Sequence, residues 1–306
     1  MDRKQTALYF TTVVVVEPNL ALMGGYFYSE ELEPTVTRVM GVQGGNWGKL
    51  LDVDDVVYAM ETKPAPAGKP RPTVCIMGRR GVYVEKISGE PPVTTTLERK
   101  DAGYLLDLRR IGSRLYACGI QNIVLRQEND GRWVRVDQGT FSPLTDYVDR
   151  AFRSMDGADE NEVLGVGLRG DLWLWDGKTW SQLQSPTEYP LHMILRASSG
   201  HYYIGGTHGL IWKGSPSQGW KPIGDSAVST QTIEDMTEFQ GKIYVAAQDK
   251  LLVTDGGPVT EVKVPIEGNK AYFAIDSLPT ALWVVGDESV LQYDGAAWKR
   301  HVCPDN

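Results

Sequence analysis

The sequence predicts an all-β fold made of one repeated four-stranded unit, and three observations predict it. The 306 residues include 33 Gly, 17 Pro, 14 Tyr and 9 Trp, a composition suited to strands joined by tight turns. An Asp-Gly turn leading into a tryptophan recurs, as "DGRWVRV" (130–136), "DGKTWSQL" (176–183) and "DGAAWKRH" (294–301). The tryptophans that follow a turn, Trp47, Trp133, Trp180, Trp220 and Trp298, lie 86, 47, 40 and 78 residues apart. Halving the outer gaps points to two further turns near 90 and 259, where "SGEPPVTTTL" and "DGGPVTEVKV" carry valine instead. A period of ~40 residues is the length of one four-stranded propeller blade.

The inside of each period repeats as well. Strand A is an upstream run such as "LHMILRAS" or "TIEDMTEF". The B–C hairpin follows, as in "TVCIMGRRGVYVEK", "EVLGVGLRGDLWLWD" and "ALWVVGDESVLQYD". Gly78, Gly119, Gly167, Gly206 and Gly286 end the first run of the hairpin, where glycine would supply the positive φ of a hairpin turn. The Asp-Gly turn then opens strand D, whose tryptophan would cover the edge between neighbouring blades. One blade cannot bury both faces, so blades must stack about an axis.

The reading is therefore a single β-propeller domain over 1–306 with seven blades, at 6–52, 53–98, 99–140, 141–185, 186–225, 226–266 and 267–306. The first unit carries extra residues, so six blades with a decorated N-terminus stays open. The Pro-rich 61–73 is a surface loop between strands A and B of one blade.

A net charge of −8 argues against nucleic acid, which needs surplus Lys and Arg on one face. No run reaches the ~18 apolar residues of a membrane helix, and "TTVVVV" near the N-terminus reads as a strand rather than a signal peptide. Cys75, Cys118 and Cys303 show no CxxC spacing. They read as free thiols in a reducing cytoplasm.

Catalytic motifs are absent: no HExxH, GxSxG, Walker loop or dinucleotide fingerprint occurs. His192 and His201 fall in strand-like runs and read as packing residues. The acidic runs 29–33, 52–55 and 156–162 are local and solvated, and 156–162 lacks the ligand order of a calcium loop. No cofactor or metal is expected.

The loops are more informative. In a propeller the B–C turns and D–A links share one rim. There the sequence places Arg79 and Arg169, His208, and the acids Asp249, Asp287 and Glu288, with Tyr147 and Tyr189 in D–A links. Blades 2 to 4 contribute arginines and amides, and blades 6 and 7 contribute acids. Exposed aromatics beside charges are the usual composition of a protein-binding patch.

The repeat, with "WLWD" at 173–176, resembles the degenerate WD-like and sensor-type propellers of bacteria, although the Gly-His of true WD repeats does not recur. Short acidic propellers of this style resemble immunity proteins encoded beside secreted toxins, including type VI secretion effectors. The resemblance implies a non-enzymatic protein that neutralises a toxin by binding it. The acidic balance fits a basic target, because complementary charge speeds encounter. Two other readings stay open: a glycoside hydrolase or lyase with carboxylates at a central channel, and a ligand-sensing module.

Overall fold

A computed structural model describes residues 7–27, 33–99, 103–142, 150–266 and 271–304. They form seven four-stranded antiparallel sheets, each a meander in chain order. Blades 1 to 7 span 8–53, 57–96, 105–135, 152–182, 191–222, 235–261 and 274–301. The fold is a seven-bladed β-propeller. The irregular first unit is a complete blade, because Leu8–Glu17 and Leu20–Phe27 pair with each other before the extra residues begin.

Close contacts divide the chain into two units. One comprises Met1–Thr95, Glu234–Asp255 and Thr260–Asn306; the other comprises Thr96–Ile233 and Gly256–Val259. The first thus holds blades 6, 7 and 1 and almost all of blade 2, and the second holds blades 3, 4 and 5.

In the first unit, blade 1 packs on blade 7. Leu8, Phe10, Met23 and Met40 share a core with Trp283, Val285, Val290 and Cys303. The Phe10 N–H donates to the Asp287 carbonyl at 2.8 Å. Val14, Val39, Val57, Ile76 and Val84 join blades 1 and 2. Phe239, Tyr244, Ile275 and Leu282 join blades 6 and 7. In the second unit, Tyr116, Cys118, Phe152, Trp175 and Trp180 join blades 3 and 4, and Leu164, Leu172, Ile194, Tyr202 and Trp212 join blades 4 and 5. The sheet faces joined in these clusters are apolar because each meets a neighbouring blade of its own unit.

The recurrent tryptophans sit in strand D as the repeat requires. Trp180 is buried, and its Nε1–H donates to the Val136 carbonyl of the preceding blade at 2.7 Å. Trp298 stacks on Tyr293 with ring centroids 4.7 Å apart. In the turns before them, the Asp176 Oδ1 accepts the N–H groups of Lys178 and Thr179, and the Asp294 Oδ1 accepts those of Ala296 and Ala297. Gly177 and Gly295 supply the positive φ, +91° and +98°.

Within each unit, the described residues of strand A make no ladder with the next blade, and side chains join them. Asp107 accepts the Leu108 N–H at Oδ1 and the Met155 N–H of blade 4 at Oδ2, at 2.8 and 3.0 Å. Asp156 holds Gly157 and then Arg196 of blade 5, both at 2.7 Å. The other unit repeats the device. Asp235 accepts from Met236 and from Ile275 of blade 7, and Asp276 accepts from Ser277 and from Val15 of blade 1. Packing around these carboxylates pushes Asp156 up to about 6, against the opposing pull of Arg109. The same packing pushes Asp276 up to about 7, with Glu61 and Asp235 adding to it. Both residues are half-buried overall, and the protein packed around their carboxyl groups governs their proton affinity.

Candidate functional site

Each blade has two ends. One carries the A–B and C–D turns, the other the B–C turn and the D–A link. The backbone distinguishes them sharply. At the A–B and C–D end, every described residue with positive φ is glycine except Gln240. At the other end six such residues bear side chains: Gln121, Asn122, Arg169, His208, Gln248 and Asp287, with φ between +45° and +68°. A left-handed L-residue costs roughly 1–2 kcal/mol. Backbone strain retained against that cost points to function.

The glycines that end strand B are not the source of this curvature. Gly167 and Gly206 are extended, with φ of −169° and −140°. They are glycine because the preceding D–A link crosses directly over them. A Cβ on Gly167 would lie 1.8 Å from the Ala151 carbonyl, and on Gly286 1.9 Å from that of Ala271. With the crossing point given to glycine, the left-handed conformation falls a few positions later, on exposed side chains at Arg169 and His208 but on buried ones at Gln121 and Asn122.

The links also hold these turns rigid. The link carbonyls of Val56, Arg150 and Pro190 accept the N–H groups of Arg79, Gln121 and Thr207 at 2.8, 2.8 and 3.1 Å. The buried carboxylate of Asp55 accepts the Arg80 N–H at 2.8 Å and meets its Nε at 3.2 Å. In each unit, most of the exposed large apolar and aromatic side chains also belong to this end of their own blades. Phe27, Val36, Tyr58, Tyr104, Tyr189 and Val302 lie there, and Val93 alone of the exposed set lies at the other.

The sequence-predicted residues fall as follows. Arg169 and His208 are exposed in the B–C turns of blades 4 and 5. The Tyr189 ring meets the His208 ring edge-on at 5.1 Å. Arg79 is half-buried, with Nη2 3.3 Å from Glu33. Asp249 and Glu288 are exposed and Asp287 is half-buried. Tyr147 lies outside the described residues. The sequence reading missed Tyr26, on which Tyr9, Tyr58 and Asp287 all act. Tyr9 and Tyr26 are cross-strand partners. Burial, then Tyr58, Asp287 and Tyr9, push the Tyr26 hydroxyl above its ordinary range.

Two other features are accounted for within the fold. His192 accepts from Arg153 at 3.5 Å and is pushed down to about 4 by burial and that guanidinium. A groove of about 490 Å³ between blades 1 and 2 holds Lys49, Arg71 and Lys86, but these already meet Asp52, Glu17 and the Glu90 carbonyl. Among the described residues, no group of three or more His, Cys, Asp or Glu is placed to hold a metal. No helix among them is long and apolar enough to cross a membrane.

Comparison with known proteins agrees with this architecture. No family model matches the chain. It is 25% identical over 260 residues to the immune protein Tsi7 of Pseudomonas aeruginosa, covering 84% of each chain. Among solved structures it is similar to YCF48 bound to D1 peptide, with TM-score 0.69 and 14% identity over 99% of this chain and 96% of that one. The WD40 propeller domain of Doa1 gives TM-score 0.69 and 11% identity over 94% and 93%. The chain is a β-propeller that resembles a bacterial immune protein.

Proposed function

We propose that this protein is a non-enzymatic binding propeller that acts as a cytoplasmic immunity protein and neutralises a cognate toxin by docking it on the B–C and D–A end of the blades. One observation carries the reading: six of the seven described left-handed residues that are not glycine, and nearly all the exposed large apolar and aromatic side chains, belong to that end of the blades. Similarity to an immune protein supports the toxin-binding form of it. Asp249, Asp287 and Glu288 supply the charge, Tyr189 and His208 the aromatic contact, and Arg79 and Arg169 the flanking cations. The acids suit a basic toxin, since opposite charge raises the rate of encounter. Against an enzyme stand the four strand-A aspartates: both oxygens of each are engaged by backbone N–H groups, which leaves them poorly placed for proton transfer or nucleophilic attack.

The test is capture followed by protection. The tagged protein is used as bait in the cells that make it, and the captured chain is identified by mass spectrometry. The captured chain is then expressed alone and with the propeller. Growth arrest relieved by the wild type, but not by the Asp287→Lys/Glu288→Lys variant, is expected. A captured chain that is harmless alone, or equal protection by the variant, would overturn the proposal.

A further inference from the structure

We propose that the groove between blades 1 and 2 is a second binding site, which takes an aliphatic monocarboxylate of medium chain length. Gln43, Asn46, Pro72 and Ser88 line it, so it opens beside the A–B and C–D turns and stands apart from docking at the other end. Ion pairs within the fold hold the cations of the groove in place, but they do not fill its space.

Three features make that space a built site. The first is its wall. The A–B link of blade 2 runs over 64–72, nine residues, whereas those of blades 1, 3, 4, 6 and 7 have two and that of blade 5 has five. A long link carried by one blade alone is a frequent place for function. Here it is pinned down. The Lys69 N–H donates to the Pro66 carbonyl at 3.0 Å, the Lys69 Nζ lies 2.5 Å from Glu90, and the Arg71 Nη2 lies 3.1 Å from Glu17. Arg71 and Pro72, at the end of the link, line the groove.

The second feature is a pair of missing side chains. Gly41 and Gly48 are direct partners in strands C and D of blade 1, and Gly41 is also opposite Leu22 of strand B. Directly opposite residues share a face of the sheet, and Leu22 belongs to the core that joins blades 1 and 2. Both glycines therefore sit on the face turned to blade 2. Neither has a positive φ, so the backbone conformation does not require glycine. A Cβ on Gly48 would meet nothing within 4 Å. Glycine inside a strand often marks a place where a ligand or another backbone comes close, and no described protein atom takes that place at Gly48.

The third feature is the chemistry of the lining. Val16, Leu20, Leu22, Leu50 and Val74 are aliphatic, and Trp47 adds one ring. Lys49, Arg71 and Lys86 line the groove as well, and no Asp or Glu does, in a chain of net charge −8. Asp52 and Glu17 offset Lys49 and Arg71 from outside the lining, at 2.6 and 3.1 Å. Lys86 meets only the carbonyls of Ile87 and Glu90 among the described residues, so no carboxylate offsets its charge. One unmatched cation beside aliphatic surface fits one carboxylate on an aliphatic chain, since the charge gains a partner and the chain leaves water. The volume, about 490 Å³, lies in the range of small-ligand sites.

Calorimetry on the full chain tests the site with octanoate, and one saturable site is expected. Octanol keeps the chain and acetate keeps the charge, and each should bind at least about tenfold more weakly than octanoate. Lys86→Gln should weaken octanoate about tenfold, the worth of one hydrogen bond to a charged group. Gly48→Leu puts a side chain into the open space and should abolish binding without lowering the melting temperature. Lys178→Gln removes an equal charge from the exposed C–D turn of blade 4 and should change nothing. No saturable binding of octanoate, octanol bound as tightly as octanoate, or undiminished binding in folded Gly48→Leu or Lys86→Gln would overturn the proposal. If Gly48→Leu fails to fold, Lys86→Gln and the octanol comparison decide the matter.

Discussion

The two ends of the blades solve one geometric problem in opposite ways. Both must reverse the chain within a few residues, and both use left-handed backbone to do it. The A–B and C–D end gives that conformation to glycine, as at Gly44, Gly177, Gly241 and Gly295. The B–C end uses glycine too, at Gly81, Gly170 and Gly209, but also gives it to Arg169, His208, Gln248 and Asp287, and accepts there strain that glycine would have relieved. Stability alone favours the first solution. The second is expected where the side chain itself has a use, so the contrast supports the proposal that the B–C and D–A end does the binding.

The largest effect should come from charge reversal at the working end. Asp287→Lys with Glu288→Lys should weaken partner binding on the order of 100-fold, about 2.7 kcal/mol. Ala296→Lys, in the C–D turn at the opposite end of the same blade, should change it less than about twofold, as expected for a charge remote from the contact. Titration calorimetry with the captured partner measures both. Equal losses would mean that the contrast between the ends does not mark function.

The next effect concerns stability. Gly167→Ala places a Cβ against the Ala151 carbonyl and should cost about 2 kcal/mol, as overpacking in a tight core does. Gly44→Ala meets nothing within 4 Å but sits at φ +60°, so only the backbone penalty of about 1 kcal/mol applies. Urea denaturation compares them. A larger loss at Gly44 would refute the close-approach explanation of the strand-B glycines.

The strands between the two ends give a prediction in pH. Asp276 has a proton affinity raised from 3.8 to about 7. Between those values the folded protein holds a proton that the unfolded chain has released, so stability falls as pH rises through that window. Asp276→Asn removes the titration, and with it an acceptor for Val15 or Ser277. Its cost relative to wild type should therefore be larger near pH 4 than near pH 7. Asp156→Asn should show the same trend over a narrower window, since Asp156 is raised only to about 6. Melting temperatures across pH decide the point, and parallel curves for variant and wild type would refute it.

The period, the blade order and the outer tryptophans were legible because each leaves a side-chain mark at a spacing of ~40 residues. The strand-B glycines were visible, but their reason was not. Sequence cannot show that a carbonyl crosses 1.8 Å from a missing Cβ, so positive φ was the natural and mistaken inference. The aspartate staples leave a fainter mark. Asp107, Asp156, Asp235 and Asp276 each sit in a strand-A run, but Ala197 follows Arg196 at the corresponding place in blade 5, and this breaks the series. Tyr26 was hidden for a different reason. This residue lies more than 220 positions from Asp287 in sequence, and only the junction of the first and last blades, marked by the Phe10–Asp287 backbone bond, brings it within reach of that charge.

The smallest effect would sharpen the contrast most. Arg169→Gly and His208→Gly relieve left-handed strain at exposed positions, so each should stabilise the fold. The gain is below the strain of roughly 1–2 kcal/mol, because glycine also releases more entropy in the unfolded chain. Neither side chain takes part in a buried core, and the Tyr189 ring contact of His208 is itself at the surface. A higher melting temperature together with weaker partner binding would show that these turns trade stability for recognition. A lower melting temperature would mean that Arg169 and His208 stabilise their turns through contacts of their own. The side-chain-bearing turns would then be structural, and the two ends would differ in architecture rather than in purpose.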